Sequence, residues 1–206
     1  LREAWNILNA IAEGKIESGD EKKLNALKGE TMAVIALCQF DLTRCFGYPY
    51  TKDNGASLGA PLIDHLVGTY ENPSRSTVAQ AYDFIIETLE EAVTLMSEEK
   101  NNGRMNKYAA RALLARVYLY HNDNRKAFDM AEQLIKDVDA SGSYALYPHE
   151  KYVAAWSVET KFGSESFFEI ANSVDDTPGR DSWGYLLNWY GYQKGFVTQK
   201  YAEQML

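Results

Sequence analysis

The strongest constraint on the fold is a pair of apolar runs within residues 107–138, separated by the polar break "HNDN" at 121–124. In each run the apolar side chains recur three and four residues apart, the spacing of one face of an α-helix. They are Leu113, Leu114, Val117 and Tyr118 in the first run, and Phe128, Ala131, Leu134, Ile135 and Val138 in the second. Ala115 and Ala127 are small where two helices would approach. The pattern predicts helices at 107–121 and 125–138, packed as an antiparallel hairpin.

Three further segments have helical spacing: 1–13, 22–46 and 77–97. Thr77 followed by Gln80 matches a capping box, and Asn106 can cap the helix that begins at 107. The 22–46 run carries apolar residues on several faces, so we expect it to be buried nearly all round. Its two cysteines, Cys38 and Cys45, lie two helical turns apart and are too distant for a disulfide; we expect both to be buried packing residues.

The remaining segments are irregular. Residues 50–75 hold Gly, Pro, Asn, Asp and Ser and are expected to form a long loop. After about residue 140 the pattern changes to Gly, Ser, Tyr and Pro, with a strand-like "SFFEI" at 166–170. Repeated hairpins suggest tetratricopeptide-like units. We therefore predict a mainly all-α fold, with a helical-hairpin scaffold at 1–140 and a loop-rich, aromatic segment at 141–206.

The composition of the sequence limits the classes of partner that the protein can bind. A formal net charge of −8 argues against nucleic acid, whose phosphates require clustered Lys and Arg. No apolar run approaches the roughly 20 residues of a membrane span. The opening "LREAWNILNAIAEGK" is amphipathic and charged, and does not resemble the apolar region of a signal peptide. Both ends have helical patterns, so we expect the sequence to be part of a longer protein.

Enzyme motifs do not emerge from the sequence. "HEKYV" at 149–153 begins like the zinc motif HExxH, but Val153 stands where the second ligand must be. "SEEK" at 97–100 matches S-x-x-K within a charged helix end, and Glu90 and Glu91 point to different faces of a solvated helix. We predict no catalytic residues, no metal site and no cofactor.

A tract rich in aromatic residues is the best candidate for ligand binding. Its rings lie among Gly, Asn and Asp without the period of a helix or a strand, and such rings suit the C–H faces of sugars. The alternative is that the rings form a core under a long loop. The predicted ring platforms are Trp183, Tyr185, Trp189, Tyr190 and Tyr192. The predicted hydroxyl partners are Arg180, Asp181 and Asn188.

Four stretches in order resemble the SusD/RagB family of outer-membrane nutrient-binding lipoproteins. They are "KGETMAVIALCQFDLTRCFGYPY", "SRSTVAQAYDFIIETLEEAVTLM", "NGRMNKYAARALLARVYLYHND" and "ESFFEI". The first matches the family pattern at Gly29, Glu30, Ala36, Phe40, Leu42, Arg44, Phe46, Gly47 and Pro49. The next two match at Arg75, Thr77, Tyr82, Ile85, Leu89, Ala92, Gly103, Arg104 and Ala110. Ile35 replaces the usual Arg, which we expect to weaken one helix-surface contact.

The resemblance implies a single SusD-like helical domain that binds glycans or other nutrients without cleaving them. It implies a cell-surface lipoprotein of the outer membrane that delivers ligand to a SusC-like TonB-dependent transporter. The lipid-bearing Cys of the family would precede this segment, and much of the family's C-terminal half would follow it. The competing hypothesis is a helical-repeat scaffold that binds a protein or peptide and has no sugar site.

Overall fold

The computed structural model describes residues 1–155, 161–170, 175, 179–182 and 185. Its helices are α1 (Arg2–Ala12), α2 (Glu21–Phe46), α3 (Val78–Leu95), α4 (Lys107–Tyr120), α5 (Asn124–Ser141) and α6 (Tyr152–Ala155). Its strands are β1 (Leu58–Pro61) and β2 (Arg75–Thr77), and 3₁₀ turns occur at Tyr50–Lys52, His149–Lys151 and Gly179–Asp181. The predicted all-α architecture is confirmed over the part of the chain that is described.

Local side chains fix where the helices begin and end. The Asp20 carboxylate accepts the backbone N–H groups of Lys22 and Lys23 at the start of α2. Thr77 and Gln80 form the predicted capping box at α3, and Asn106 accepts the Ala109 N–H at α4. At the other end of the hairpin, α5 stops at Gly142, whose φ of 64° is the left-handed conformation that glycine adopts without strain.

Residues Leu1–Glu169 form one compact unit, in which α1 packs on α2, α2 on α3, α3 on α4 and α4 on α5. The core lies between α2, α3 and α4 and includes Phe40, Ile85, Leu89 and Leu114, all almost fully buried. A second cluster joins α4 and α5 to the chain that follows them, through Tyr108, Leu134, Val138 and Tyr144. Residues Ile170–Leu206 form a second compact unit.

The segment predicted as a loop at 50–75 contains a short antiparallel strand pair. Leu58 lies opposite Thr77 and Pro61 opposite Arg75, with an irregular register between them. The Arg75 side chain reinforces the pair, because its Nε donates to the Gly59 carbonyl at 2.7 Å. That loop prediction was therefore incomplete.

The strand predicted at 166–170 was wrong, since these residues form no strand. Glu169 instead accepts the backbone N–H groups of Phe162 and Gly163 at 2.8 and 2.9 Å. Lys100 from the α3–α4 connection donates to the Gly163 carbonyl at 2.9 Å. Side-chain bonds to the backbone, together with Phe167 packed against the core, hold this segment in an irregular conformation.

Two burial predictions were also wrong. Phe128 and Ile135 are 62% and 61% exposed, because the face of α5 that packs on α4 is set by Ala127, Leu134 and Val138. Helix α2 is not buried all round: Cys38 is half-buried, and Cys45 is exposed beside a 65% exposed Phe46. Ile35 of the same helix is buried, with 1% of its surface exposed.

Candidate functional site

The predicted ligand tract is described at only three of its eight positions. Arg180 and Asp181 lie in the 3₁₀ turn Gly179–Asp181 and are exposed. Tyr185 is half-buried, and its backbone N–H donates to the Ser182 Oγ at 3.1 Å. The other five predicted residues lie outside the described residues: Trp183, Asn188, Trp189, Tyr190 and Tyr192.

The described part of the tract brings complementary groups into a short stretch of chain. A guanidinium and a carboxylate follow each other at Arg180 and Asp181, and a tyrosine ring comes four residues later. A guanidinium donates hydrogen bonds only, and an ionised carboxylate accepts them only. Together they can serve both roles toward a hydroxylated ligand, and the ring can offer a flat face.

A second aromatic surface lies where α2 ends. The guanidinium of Arg44 sits 4.6 Å from the ring centroid of Phe40 and 5.5 Å from that of Tyr120. Asp41 pairs with the same guanidinium and raises the pKa of Arg44 further above its ordinary value. The Tyr120 ring is 46% exposed and stands beside this held charge.

A further exposed ring, that of Tyr48, lies just beyond the end of α2. Its ring is 57% exposed, and Lys52 Nζ lies 3.1 Å from its centroid in a cation–π contact. Helix α2 ends at Phe46, and Tyr48 follows between Gly47 and Pro49. Its ring therefore does not belong to the apolar face of the helix. Sequence reasoning missed this surface, although an aromatic residue between a helix-ending Gly and Pro was the available signal.

Behind the surface, three rings pack at the end of the hairpin. His121, which caps α4, lies 4.2 Å from Tyr50 and 5.6 Å from Tyr82, centroid to centroid. Burial raises the pKa of the Tyr82 hydroxyl to about 12. The His121 Nδ1 atom is buried and has no hydrogen-bond partner within the described ranges. The cluster joins the end of α2, the start of α3 and the end of α4.

A groove of about 590 Å³ lies between the start of α2 and the connection from α3 to α4. Leu27, Met96 and Met105 give it apolar surface, and Glu30 and Arg104 are among its charged lining residues. Those two charges are paired with each other, and the nearby helix starts are already capped by Asp20 and Asn106. The Glu30–Arg104 pair and the two capped helix starts therefore already have partners within the protein.

The described residues contain no group of three or more His, Cys, Asp or Glu side chains that could hold a metal ion. Among them, no helix combines the length and the apolar character that a membrane crossing requires.

The chain is similar to known proteins of one family. A SusD-like family model, described as "Starch-binding associating with outer membrane", matches residues 1–119. A crystal structure of a SusD superfamily protein from Bacteroides vulgatus is 96% identical, with a TM-score of 0.94, over 99% of this chain and 46% of that one. A SusD superfamily protein from Bacteroides thetaiotaomicron is 34% identical, with a TM-score of 0.87, over 99% of this chain and 45% of that one. No curated protein matches.

A more distant structure shares the fold alone. It is a laminarin binding SusD-like protein, 24% identical with a TM-score of 0.60, matched over 90% of this chain and 40% of that one. The chain spans less than half the length of the relatives it matches. The match to residues 1–119 covers more than half of the 206 residues. The chain belongs to the SusD-like family.

Proposed function

We propose that the protein captures polysaccharides or oligosaccharides at the cell surface and delivers them to a TonB-dependent outer-membrane transporter. The observation that carries the proposal is the match of residues 1–119 to a family described as starch-binding and associating with the outer membrane. A protein of the same fold binds laminarin, which is consistent with a glycan ligand.

The ligand would be bound by rings and hydroxyl partners in the 180–192 tract. The rings are those of Trp183, Tyr185, Trp189, Tyr190 and Tyr192, and the hydroxyl partners are Arg180, Asp181 and Asn188. Exposed Arg180 and Asp181 support this role, because solvated polar side chains remain available to a ligand. The exposed rings of Tyr48 and Tyr120 offer further aromatic faces within the first unit.

Binding would occur without cleavage. Hydrolysis of a glycosidic bond needs two carboxyl groups facing each other across a cleft. The carboxylates of Glu90 and Glu91 are instead engaged on the surface of α3, with Tyr118 and Lys28 respectively. This supports a role in capture rather than in catalysis, and the protein would act as a lipid-anchored partner of the transporter.

A glycan array followed by affinity gels with the full-length protein tests the proposal. We expect retardation by at least one polysaccharide and no release of sugar from it. Isolation from membranes in mild detergent should also recover a barrel transporter with the protein. Absence of glycan binding, together with binding of a protein or peptide to the hairpins, would favour the scaffold hypothesis instead.

A further inference from the structure

The loop that joins β1 to β2 contains a histidine held between two carboxylates. His65 Nδ1 lies 2.7 Å from Asp64 Oδ1, and His65 Nε2 lies 2.6 Å from Glu71 Oε1. An ionised carboxylate can only accept a hydrogen bond, so each ring nitrogen must donate one. A neutral imidazole carries a single N–H. Both contacts therefore form together only when the ring is the doubly protonated imidazolium.

One half of this loop is anchored to the helices. The Ile63 backbone N–H donates to the Gln39 side chain of α2 at 3.2 Å, and its carbonyl accepts from the Trp5 indole of α1 at 3.2 Å. Gln39 also donates to the Pro61 carbonyl at 3.1 Å. These contacts fix the chain immediately before His65.

The other half is a turn closed by Glu71. Its carboxylate accepts the Gly68 backbone N–H at 3.0 Å, and its own N–H donates to the Gly68 carbonyl at 3.2 Å. This turn presents Tyr70, whose ring is 94% exposed. The hydrogen bond from His65 to Glu71 thus joins the anchored half of the loop to the turn that displays Tyr70.

We propose that residues 62–74 form a pH-dependent latch, closed by the imidazolium of His65 between Asp64 and Glu71 and released when His65 loses a proton. On release, the neutral ring keeps a single N–H and can donate to Asp64 or to Glu71 but no longer to both, so the turn at 68–71 is held less firmly to the anchored half. The latch controls how firmly the exposed ring of Tyr70 is held.

The electrostatics agree with this geometry. The hydrogen bond to Asp64, followed by that to Glu71, raises the pKa of His65 above its ordinary value of 6.5. The Gly68 N–H, followed by His65, lowers the pKa of Glu71 below 4.5. The charged groups acting on the ring are Asp64 and Glu71. The side chains of α1 and α2 that anchor this loop, Trp5 and Gln39, are uncharged and bond to the Ile63 backbone.

The sign of each shift sets the pH range of the latch. A histidine with a raised pKa contributes its stabilisation at low pH and loses it as the pH rises through the raised value. A glutamate with a lowered pKa contributes above its ordinary value and loses the contribution as the pH falls through the lowered one. The pH range in which the latch is closed therefore has its lower limit below 4.5 and its upper limit above 6.5.

Nuclear magnetic resonance of the full-length protein, labelled at the histidine rings and the glycine amides, tests the proposal. We expect His65 to titrate above pH 6.5 and the Gly68 amide to shift with the same midpoint. Glu71→Gln leaves the His65 ring in place but removes one of its two carboxylate partners, so the pH midpoint of the His65 titration should fall. The Gly68 amide should show no transition of this kind in His65→Gln. A Gly68 amide that does not follow His65, or a His65 midpoint unchanged by Glu71→Gln, would overturn the latch.

Discussion

The carboxylate of Glu30 in α2 accepts a hydrogen bond from Arg104 Nε at 2.9 Å, 74 residues further along the chain. It also accepts the backbone N–H of Met105 at 3.0 Å. These bonds fix the connection between α3 and α4 against the side of α2. Glu30 and Arg104 both belong to the stretches that match the SusD-like pattern. Their pairing is a physical reason for the pattern to have an acidic residue at one position and an arginine at the other.

Replacing Glu30 with Gln should destabilise the protein, because a neutral amide cannot reproduce the charge-assisted bonds that the carboxylate accepts from Arg104 and from the Met105 backbone N–H. The side chain of Glu30 is 18% exposed and that of Arg104 is 51% exposed, so solvent screens part of the effect. We expect a loss of about 1–2 kcal/mol in the free energy of unfolding, measured by urea denaturation. The exposed Glu87→Gln on α3 is the control and should change little. Equal stability of both variants would refute the role of Glu30.

Gly29 allows α2 and α3 to approach closely. A Cβ at this position would lie 2.7 Å from Met96 Cγ and 2.9 Å from the Ala92 carbonyl oxygen. Gly29→Ala should therefore force the helices apart and cost about 1–3 kcal/mol, despite the better helix propensity of alanine. Gly19→Ala is the matched control, since a Cβ there meets nothing within 4 Å. A thermal melt in which Gly29→Ala equals or exceeds the parent would contradict this packing.

The sequence was most informative where a signal was local. The capping residues Thr77 and Asn106 were predicted correctly because their partners lie three residues away. Phe128 and Ile135 were misplaced because each follows a buried residue and is rotated about 100° from it around the helix axis. Apolar character alone does not show which of two adjacent positions faces α4.

Non-local pairing explains the other differences. Strands β1 and β2 pair across the 62–74 loop and include Gly59 and Pro61, which weaken any strand pattern. The irregular "SFFEI" segment is fixed by Glu169 and by Lys100, which is distant in sequence. The ligand tract was predicted from its amino-acid composition. At its five positions outside the described residues, the binding role stays a prediction on that basis.

Tyr118 combines a buried ring with a polar contact at the surface. The residue is 4% exposed, and its hydroxyl donates to the Glu90 carboxylate. Tyr118→Ala should lower the free energy of unfolding by about 3–5 kcal/mol, because it leaves a large cavity. Tyr118→Phe should cost about 1 kcal/mol, because only the hydrogen bond is lost. Tyr70→Ala, at a 94% exposed ring, is the control in the same denaturation series. Tyr118→Ala melting like the parent would show that the ring is not part of the core.

The Arg111–Asp137 pair should make stability depend on acid pH. Arg111 Nη1 donates to Asp137 at 2.7 Å, and this bond lowers the pKa of Asp137 below its ordinary 3.8. Since the pKa is lowered on folding, the stabilisation is present above pH 3.8 and is lost as the pH falls through the lower folded value. The stability difference between the parent and Asp137→Asn should therefore shrink on acidification, as measured by urea denaturation at several pH values. A difference that stays constant with pH would argue against the pair.

The central claim is that the full-length protein binds a glycan on the rings of the 180–192 tract. Isothermal titration of the parent, Trp183→Ala and Trp189→Ala with the polysaccharide that binds best tests it most directly, with melting temperatures recorded in parallel. Loss of one stacking ring should weaken binding by about 1–3 kcal/mol, by analogy with ring stacking on other flat ligands. Melting temperatures should stay near that of the parent, and Tyr70→Ala should bind normally. If both tryptophan variants unfold, or if both bind the glycan as tightly as the parent, the tract is not the binding surface.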